Sequence, residues 1–300
     1  MSQQETVLYD AQGPKGRRRT AIGTVLAVLV LLYLAYLVVR RLADQDQFSM
    51  EKWGPWIDPS DPSFDAVWRL VRVGIVNTIK AAAVAMVLSV VLGTLIAVAR
   101  ISLGRIGRLP LVGLVELFRG LPVVILIYFG VRVLPTVGVD MRDWPGGQVF
   151  WGLILGLTAY NMVIFAEIVR AGLASLPRGQ REAALAAGLT NAQAMRYVLL
   201  PQAFRTMLPA IISQLVVVLK DTSLVTFIAN YPELLSQGQR IQRNLSNPIQ
   251  TFIFIALLFI AINYALSRLA TYIEARQGRK SAAVAEVTDA GGNVPVGGGA

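Results

Sequence analysis

The chain has 300 residues, 55% of them hydrophobic, and its mean hydropathy of +0.56 excludes an ordinary soluble domain. It contains neither cysteine nor histidine, which excludes disulfides, thiol catalysis, haem ligation by histidine and most zinc sites and leaves carboxylates as the remaining enzymatic groups; no cofactor or metal is expected. The formal net charge of +10 requires no nucleic acid, because most of the basic residues fall where membrane topology places them.

In chain order, a basic segment over 1–19, with Lys15, Arg17, Arg18 and Arg19, precedes an apolar run over 20–42 long enough to cross a bilayer. That run reaches Val39 and meets Arg40-Arg41 without a small-residue cleavage site, so it is expected to be an anchor and not a signal peptide. An acidic loop over 43–70 follows, carrying Asp44, Asp46, Glu51, Asp58, Asp61 and Asp65. Five further spans are predicted at 71–99, 112–134, 149–170, 207–229 and 250–272, giving an all-α polytopic membrane protein. Arg100, Arg105 and Arg108 follow the second span, Arg178, Arg181 and Arg196 the fourth, and Arg276, Arg279 and Lys280 the sixth. This distribution predicts that those segments and both termini are cytoplasmic, in a cell membrane. The loop with Glu233, Arg240 and Arg243 is placed outside only because the helix count requires it. The five tryptophans (53, 56, 68, 144 and 151) are expected at the outer interface as headgroup-level anchors. The segment 273–300 is assigned to the cytoplasm, and its end from Ser281, rich in Ala, Gly and Val, reads as disordered.

Ionisable groups within the spans are the next signal, since each is costly in hydrocarbon and normally faces a cavity or a partner. Lys220 and Asp221 are neighbours in the fifth span, about 100° apart around a helix, so each must find another partner or the helix must loosen there. Thr222 and Ser223 supply hydroxyls either for freed backbone groups or for a ligand. Glu116 and Arg119 precede a Gly120-Leu121-Pro122 break that would open backbone groups to a pathway. For these residues a buried ion pair and a substrate contact remain equally open. Glu167 and Arg170 have the i, i+3 spacing of a helix-surface ion pair, and Asn161 is a pore-lining candidate.

The segment Arg178-Gly-Gln-Arg-Glu-Ala-Ala-Leu-Ala-Ala-Gly188 interrupts the spans and runs on to Val198-Leu-Leu-Pro201. Ala183, Ala184, Ala186 and Ala187 favour a helix of little bulk, which another protein can approach closely; Ala184 is expected on that approached face. Gly188 permits the positive φ that ends such a helix, and Pro201 suits the first turn of the next. The chain has no G-x-x-x-x-G-K-[ST] phosphate loop, so any ATP-driven work requires a partner.

Glu182, Ala183, Ala184, Gly188, Leu200 and Pro201, at this spacing and in a membrane protein, resemble the EAA loop of ABC importer permeases. Glu116-Leu-Phe-Arg-Gly-Leu-Pro122, Ala159-Tyr-Asn161, Ala166-Glu-Ile-Val-Arg170, Gly179-Gln180 and Leu219-Lys-Asp-Thr-Ser-Leu224 are similar to signatures of the polar amino-acid branch, the histidine, glutamine, glutamate and arginine type. The resemblance covers about Val71 to Tyr272. It implies the type I (MetI-like) importer fold, with a five-helix core over 71–272 and the span at 20–42 as an extra N-terminal helix. It further implies ATPase subunits docked on the loop at 178–201, a second permease subunit, identical or homologous, and an extracytoplasmic amino-acid-binding protein. Membrane lipid surrounds the chain and no nucleic acid is expected. By overall resemblance the substrate is glutamate first and glutamine next; a zwitterion needs both signs along its route, which Arg119, Lys220, Glu116 and Asp221 supply. Leu121, Leu126 and Val198 depart from the usual residues, the first two at positions that bear on substrate preference. Two other classes compete: an ion-coupled secondary transporter, with Glu116, Glu167 and Asp221 as proton carriers, and a membrane-embedded carboxylate enzyme. Neither explains the loop spacing.

Overall fold

The computed structural model describes residues 13–291, with side-chain surroundings given as far as Ile273. The described residues are mostly helical, with no strand among them. Helices α1 (Pro14–Asp44), α2 (Met50–Ile57) and α3 (Phe64–Ser102) are followed by α4 (Arg105–Gly120) and α5 (Val123–Tyr128). A π-helical turn at Phe129–Val133 leads into α6 (Leu134–Thr136), then come α7 (Gly147–Ala174), α8 (Arg178–Ala186) and α9 (Asn191–Ala194). A second π-helical turn at Met195–Leu199 joins α9 to α10 (Leu200–Asp221), which tightens into a 3-10 segment at Thr222–Phe227 before α11 (Leu234–Leu245) and α12 (Pro248–Gly291).

Among the described residues, five helical stretches are long and apolar enough to cross a bilayer: Pro14–Asp44, Phe64–Ser102, Gly147–Ala174, Asn191–Phe227 and Pro248–Ile273. They contain the spans expected at 20–42, 71–99, 149–170 and 250–272 and most of the one at 207–229. The span expected at 112–134 is not a straight helix. Arg105–Gly120 and Val123–Thr136 meet at 101°. The cause is local: Pro122 has no N–H to donate and its ring excludes the helical conformation for Leu121, which sits at φ −93 and ψ 133.

Helices α3 and α7 form the centre and run parallel, with Gly93 against Phe165 and Arg100 against Glu167. Their close approach follows from small residues. Ala81, Ala85, Ser89, Gly93 and Ala97 recur at every fourth position of α3 and all are buried. A Cβ on Gly93 would stand 2.5 Å from that of Phe165, and one on Gly156 of α7 would stand 2.5 Å from the backbone of Ile127 in α5, so both contacts need glycine.

The loop expected at 43–70 holds α2 and the first turns of α3, and its tryptophans need a correction. Trp56 is 1% exposed, stacked on Phe254 of α12 with ring centroids 4.8 Å apart, and it meets Trp68 edge-on. It is a core residue that seats α2 on α3 and α12, because an eight-residue helix with Trp53 and Trp56 on one side buries them where a facing helix is available. Trp144, at 53% exposure, keeps the exposure an interface anchor needs. Helix α1 buries no side chain, and its apolar surface extends all round, which suits contact with lipid. At the other end, the tail expected to be disordered from Ser281 is helical in its backbone to Gly291, and 292–300 lie outside the described residues.

Candidate functional site

Helix α8 ends in a Schellman turn. The Gly188 N–H donates to Leu185 O at 3.0 Å, the Leu189 N–H to Ala184 O at 3.2 Å, and Gly188 sits at φ +84. Thr190 then caps the next helix through a reciprocal pair of bonds with Gln193. Loop and helices are held together by Gln202 donating to Gln180 at 3.1 Å and by Arg181 donating to Asn191 at 3.0 Å. The result is a hydrogen-bonded, largely exposed helix, turn and helix that follows the end of α7.

One expectation about this loop holds and one changes. Pro201 stands in the first turn of α10, as expected, and the short α9, opened by the Thr190 capping box, precedes it from Asn191. Pro201 lies inside a continuous helical stretch just after the π-helical turn at Met195–Leu199, whose wider winding accommodates a residue that cannot donate to the preceding turn. Ala184 is 6% exposed and faces its own chain, whereas Glu182, Ala183, Leu185, Ala186 and Ala187 are exposed. The face open to a partner is therefore the one with Ala183, Ala186 and Ala187, and Ala184 seats the helix on its own chain. Leu200 is half-buried and Pro201 exposed.

The expected pathway residues do not gather in one place. Near the α8 end, Glu167 is the hub of an ion network: Arg100 of α3 at 2.5 Å, Arg170 at 2.7 Å and Arg119 of α4 at 3.7 Å, with Glu116 at 3.5 Å from Arg119. The i, i+3 pair with Arg170 is present, but the link that joins helices is Arg100 to Glu167, and the sequence read Arg100 only as a topology marker. Asn161 is fully buried; its amide donates to Leu157 O at 2.8 Å and accepts from Gln214 of α10 at 2.8 Å. It is an interhelical tie, not a pore-lining group, because both ends of its amide are engaged inside the bundle.

At the far end of α10 the helix does loosen, into the 3-10 segment that begins at Thr222. Thr222 is buried and its hydroxyl donates to Leu219 O at 2.7 Å, satisfying the freed backbone. Lys220 is exposed and, with Ser223, edges an otherwise apolar cavity of about 340 Å³ lined by Leu235, Phe252, Ile255, Ala256 and Phe259. Asp221 is partly buried, with neither hydrogen bond nor ion pair among the described residues. Leu121 and Leu126 line a separate apolar cavity of about 410 Å³ between α5 and α7, together with Phe118, Phe129, Leu155 and Ala159.

The sequence reading missed Glu233, which it treated as a loop charge. It is fully buried and caps α11, accepting from the backbone N–H of Leu235 at 2.8 Å and of Ser236 at 2.6 Å and from the hydroxyl of Thr226. Burial pushes its pKa up, against the lowering pull of Thr226, the Leu235 and Ser236 N–H groups and the nearby Ser223 hydroxyl. The available signal was Pro232-Glu233 directly before a helical segment with Ser236 three residues on.

A family model described as a binding-protein-dependent transport system inner membrane component matches residues 89–279. The chain is 36% identical over 235 residues to the glutamate transport system permease protein GluD of Corynebacterium glutamicum, covering 78% of this chain and 82% of that one. To the probable glutamine ABC transporter permease protein GlnP of Bacillus subtilis it is 38% identical over 169 residues, 55% of this chain and 73% of that one. Among solved structures, an amino acid ABC transporter with histidines matches with a TM-score of 0.62 at 29% identity over 71% of this chain and 97% of the other. An inward-facing MetNI methionine ABC transporter shares the fold, with a TM-score of 0.53 at 22% identity over 69% of this chain and 96% of the other.

Proposed function

The chain belongs to the family of binding-protein-dependent transport system inner membrane components, and we propose that within it this subunit imports a polar amino acid, glutamate first and glutamine next. It is a transport subunit, not an enzyme; ATP is hydrolysed on a separate ATPase, and a binding protein delivers the substrate. The transporter core extends over 71–272, and two such subunits, identical or homologous, form the pathway in a lipid surround. The observation that carries this reading is α8 with its Schellman turn and exposed Glu182, Ala183, Ala186 and Ala187, a hydrogen-bonded knob for another protein to grip. Alternating access then moves the α8 end and the α11 end of the bundle out of phase. The substrate rests on the names of the relatives together with Lys220 and Asp221, which have no ion pair among the described residues and offer both signs to a zwitterion.

An ion-coupled mechanism finds little support here. Two of its proposed carriers, Glu116 and Glu167, are engaged in ion pairs with arginines.

The test is reconstitution of the permease with its ATPase and a glutamate-loaded binding protein in proteoliposomes. Glutamate uptake should require ATP and all three components; uptake driven by an ion gradient without the ATPase would overturn the reading.

Orientation, with both termini and α8 in the cytoplasm, is proposed on the basic residues flanking the spans. In this cysteine-free chain, Ser60→Cys should react with an impermeant maleimide added to whole cells and Ala192→Cys should not; both positions are exposed. The reverse labelling pattern would invert the topology.

A further inference from the structure

At the end of the bundle opposite α8, three elements are bolted together around one carboxylate. The start of α11 is fixed to α3: the Leu234 N–H donates to the Thr78 hydroxyl at 3.0 Å, Asn77 donates to Pro232 O at 3.0 Å, and Tyr231 donates to Asn77 O at 3.3 Å. A Cβ on Gly74 would stand 2.8 Å from the Leu234 backbone, so the two helices touch with no room for a side chain between them. From this fixed point Glu233 reaches back to Thr226, inside the 3-10 segment that continues α10 beyond Lys220 and Asp221. Arg132, from the π-helical turn after α5, donates to Ile228 O at 2.6 Å just past the same segment.

The two backbone bonds to Glu233 are what an ordinary helix cap makes, and a cap alone would explain them. The Thr226 bond is different. It lies outside the cap, joins a second element, and completes a set of three donors aimed at a carboxylate that is fully buried, with no cation bonded to it among the described residues. A carboxylate accepts all three, whereas an amide must turn an N–H against at least one of them.

We propose that Glu233 is a positioning residue that locks the 3-10 end of α10, and with it Lys220 and Asp221, to the outer block of α3 and α11. A push on α11 from an arriving binding protein is then passed through the Glu233–Thr226 contact to the part of α10 that carries these two charges. This rests on the importer reading above. It adds the element through which the outer partner is sensed.

The experiment uses the full transporter in proteoliposomes, with ATPase subunits and glutamate-loaded binding protein. Thr226→Val removes the hydroxyl and leaves the α11 cap intact; Glu233→Gln keeps the shape and misplaces one donor. Each should lower binding-protein-stimulated ATP hydrolysis about ten-fold, within the range of measured couplings between sites, with basal hydrolysis unchanged. The losses should be less than additive in the double variant, because Thr226 and Ser236 donate to the same carboxylate oxygen. Hydrogen exchange over 222–227 should rise in both single variants. Thr226→Val with wild-type stimulation and unchanged exchange over 222–227 would reduce Glu233 to a helix cap and overturn the proposal. Failure of the wild-type complex to respond to glutamate-loaded binding protein would count against the importer reading instead, and the exchange comparison would still decide the lock.

Discussion

Glu167→Ala should abolish uptake and weaken the bundle itself. Glu167 is the carboxylate that Arg100, Arg119 and Arg170 share, and its side chain is 25% exposed. Without it the Arg100 side chain, 15% exposed and on a different helix, loses its partner and faces two like charges. For a pair this partly exposed the loss lies between that of a surface pair and that of a buried one, about 1–3 kcal/mol, most of it from the charge left behind. Glu167→Gln should recover part of the packing and little of the stability, since an amide neither neutralises the arginines nor avoids presenting an N–H to them. Thermal melting of the detergent-solubilised protein and glutamate uptake in proteoliposomes check both effects. Wild-type melting in Glu167→Ala would show the network to be ornamental. Arg100→Leu combined with Glu167→Leu should melt higher than Glu167→Leu alone, because the less exposed of the arginines left behind is then removed with its partner, while Arg119 and Arg170 stay half exposed.

Gly188→Val should abolish coupling while leaving the permease in the membrane. A side chain at this position meets nothing within 4 Å, so crowding is not the objection. The backbone is. At φ +84 an L-residue is strained by about 1–2 kcal/mol, and a β-branched one is an outlier there. The strain is relieved by unwinding the turn, which breaks the two bonds that close α8 and displaces its exposed face relative to the second helix. Gly188→Asn is the control, since asparagine tolerates the left-handed region. Uptake and recovery of the ATPase with the tagged permease should fall at least about ten-fold in the valine variant and stay within about two-fold in the asparagine variant, a ten-fold loss corresponding to roughly 1.4 kcal/mol of the strain. Normal uptake in Gly188→Val would sever the link between the turn and coupling. Ala184→Arg tests something else than the partner interface. Ala184 is buried against its own chain, so arginine there unseats α8, whereas Ala183→Arg acts on the open face.

Much of this molecule is written locally. Spans are runs of apolar residues, α8 ends where Gly188 allows positive φ, and the break before Pro122 follows from a ring that excludes helix at Leu121; each signal lies within a few residues of what it decides. The family was legible for the same reason, since the loop motif is a local pattern of small residues and turn formers. The bend of 101° was not, because a breaker fixes where a helix stops and leaves its new direction to the packing of α5 on α7. Which residues meet across the bundle was decided only by the tertiary structure. Arg100 finds Glu167 across 67 residues and Leu234 finds Thr78 across 156. Such pairings depend on which stripe of each helix is small enough to be approached, and the stripe from Ala81 to Ala97 settles that for α3. The same cause turned Trp56 from an interface anchor into a core residue, Asn161 from a pore candidate into a tie, Ala184 inward and Glu233 from a loop charge into a buried junction. A helix face has no meaning until its neighbour is placed. The sequence alone therefore determined the class of this protein and the shape of its exposed loop, and the fold decided which charges are paired and which remain free to act.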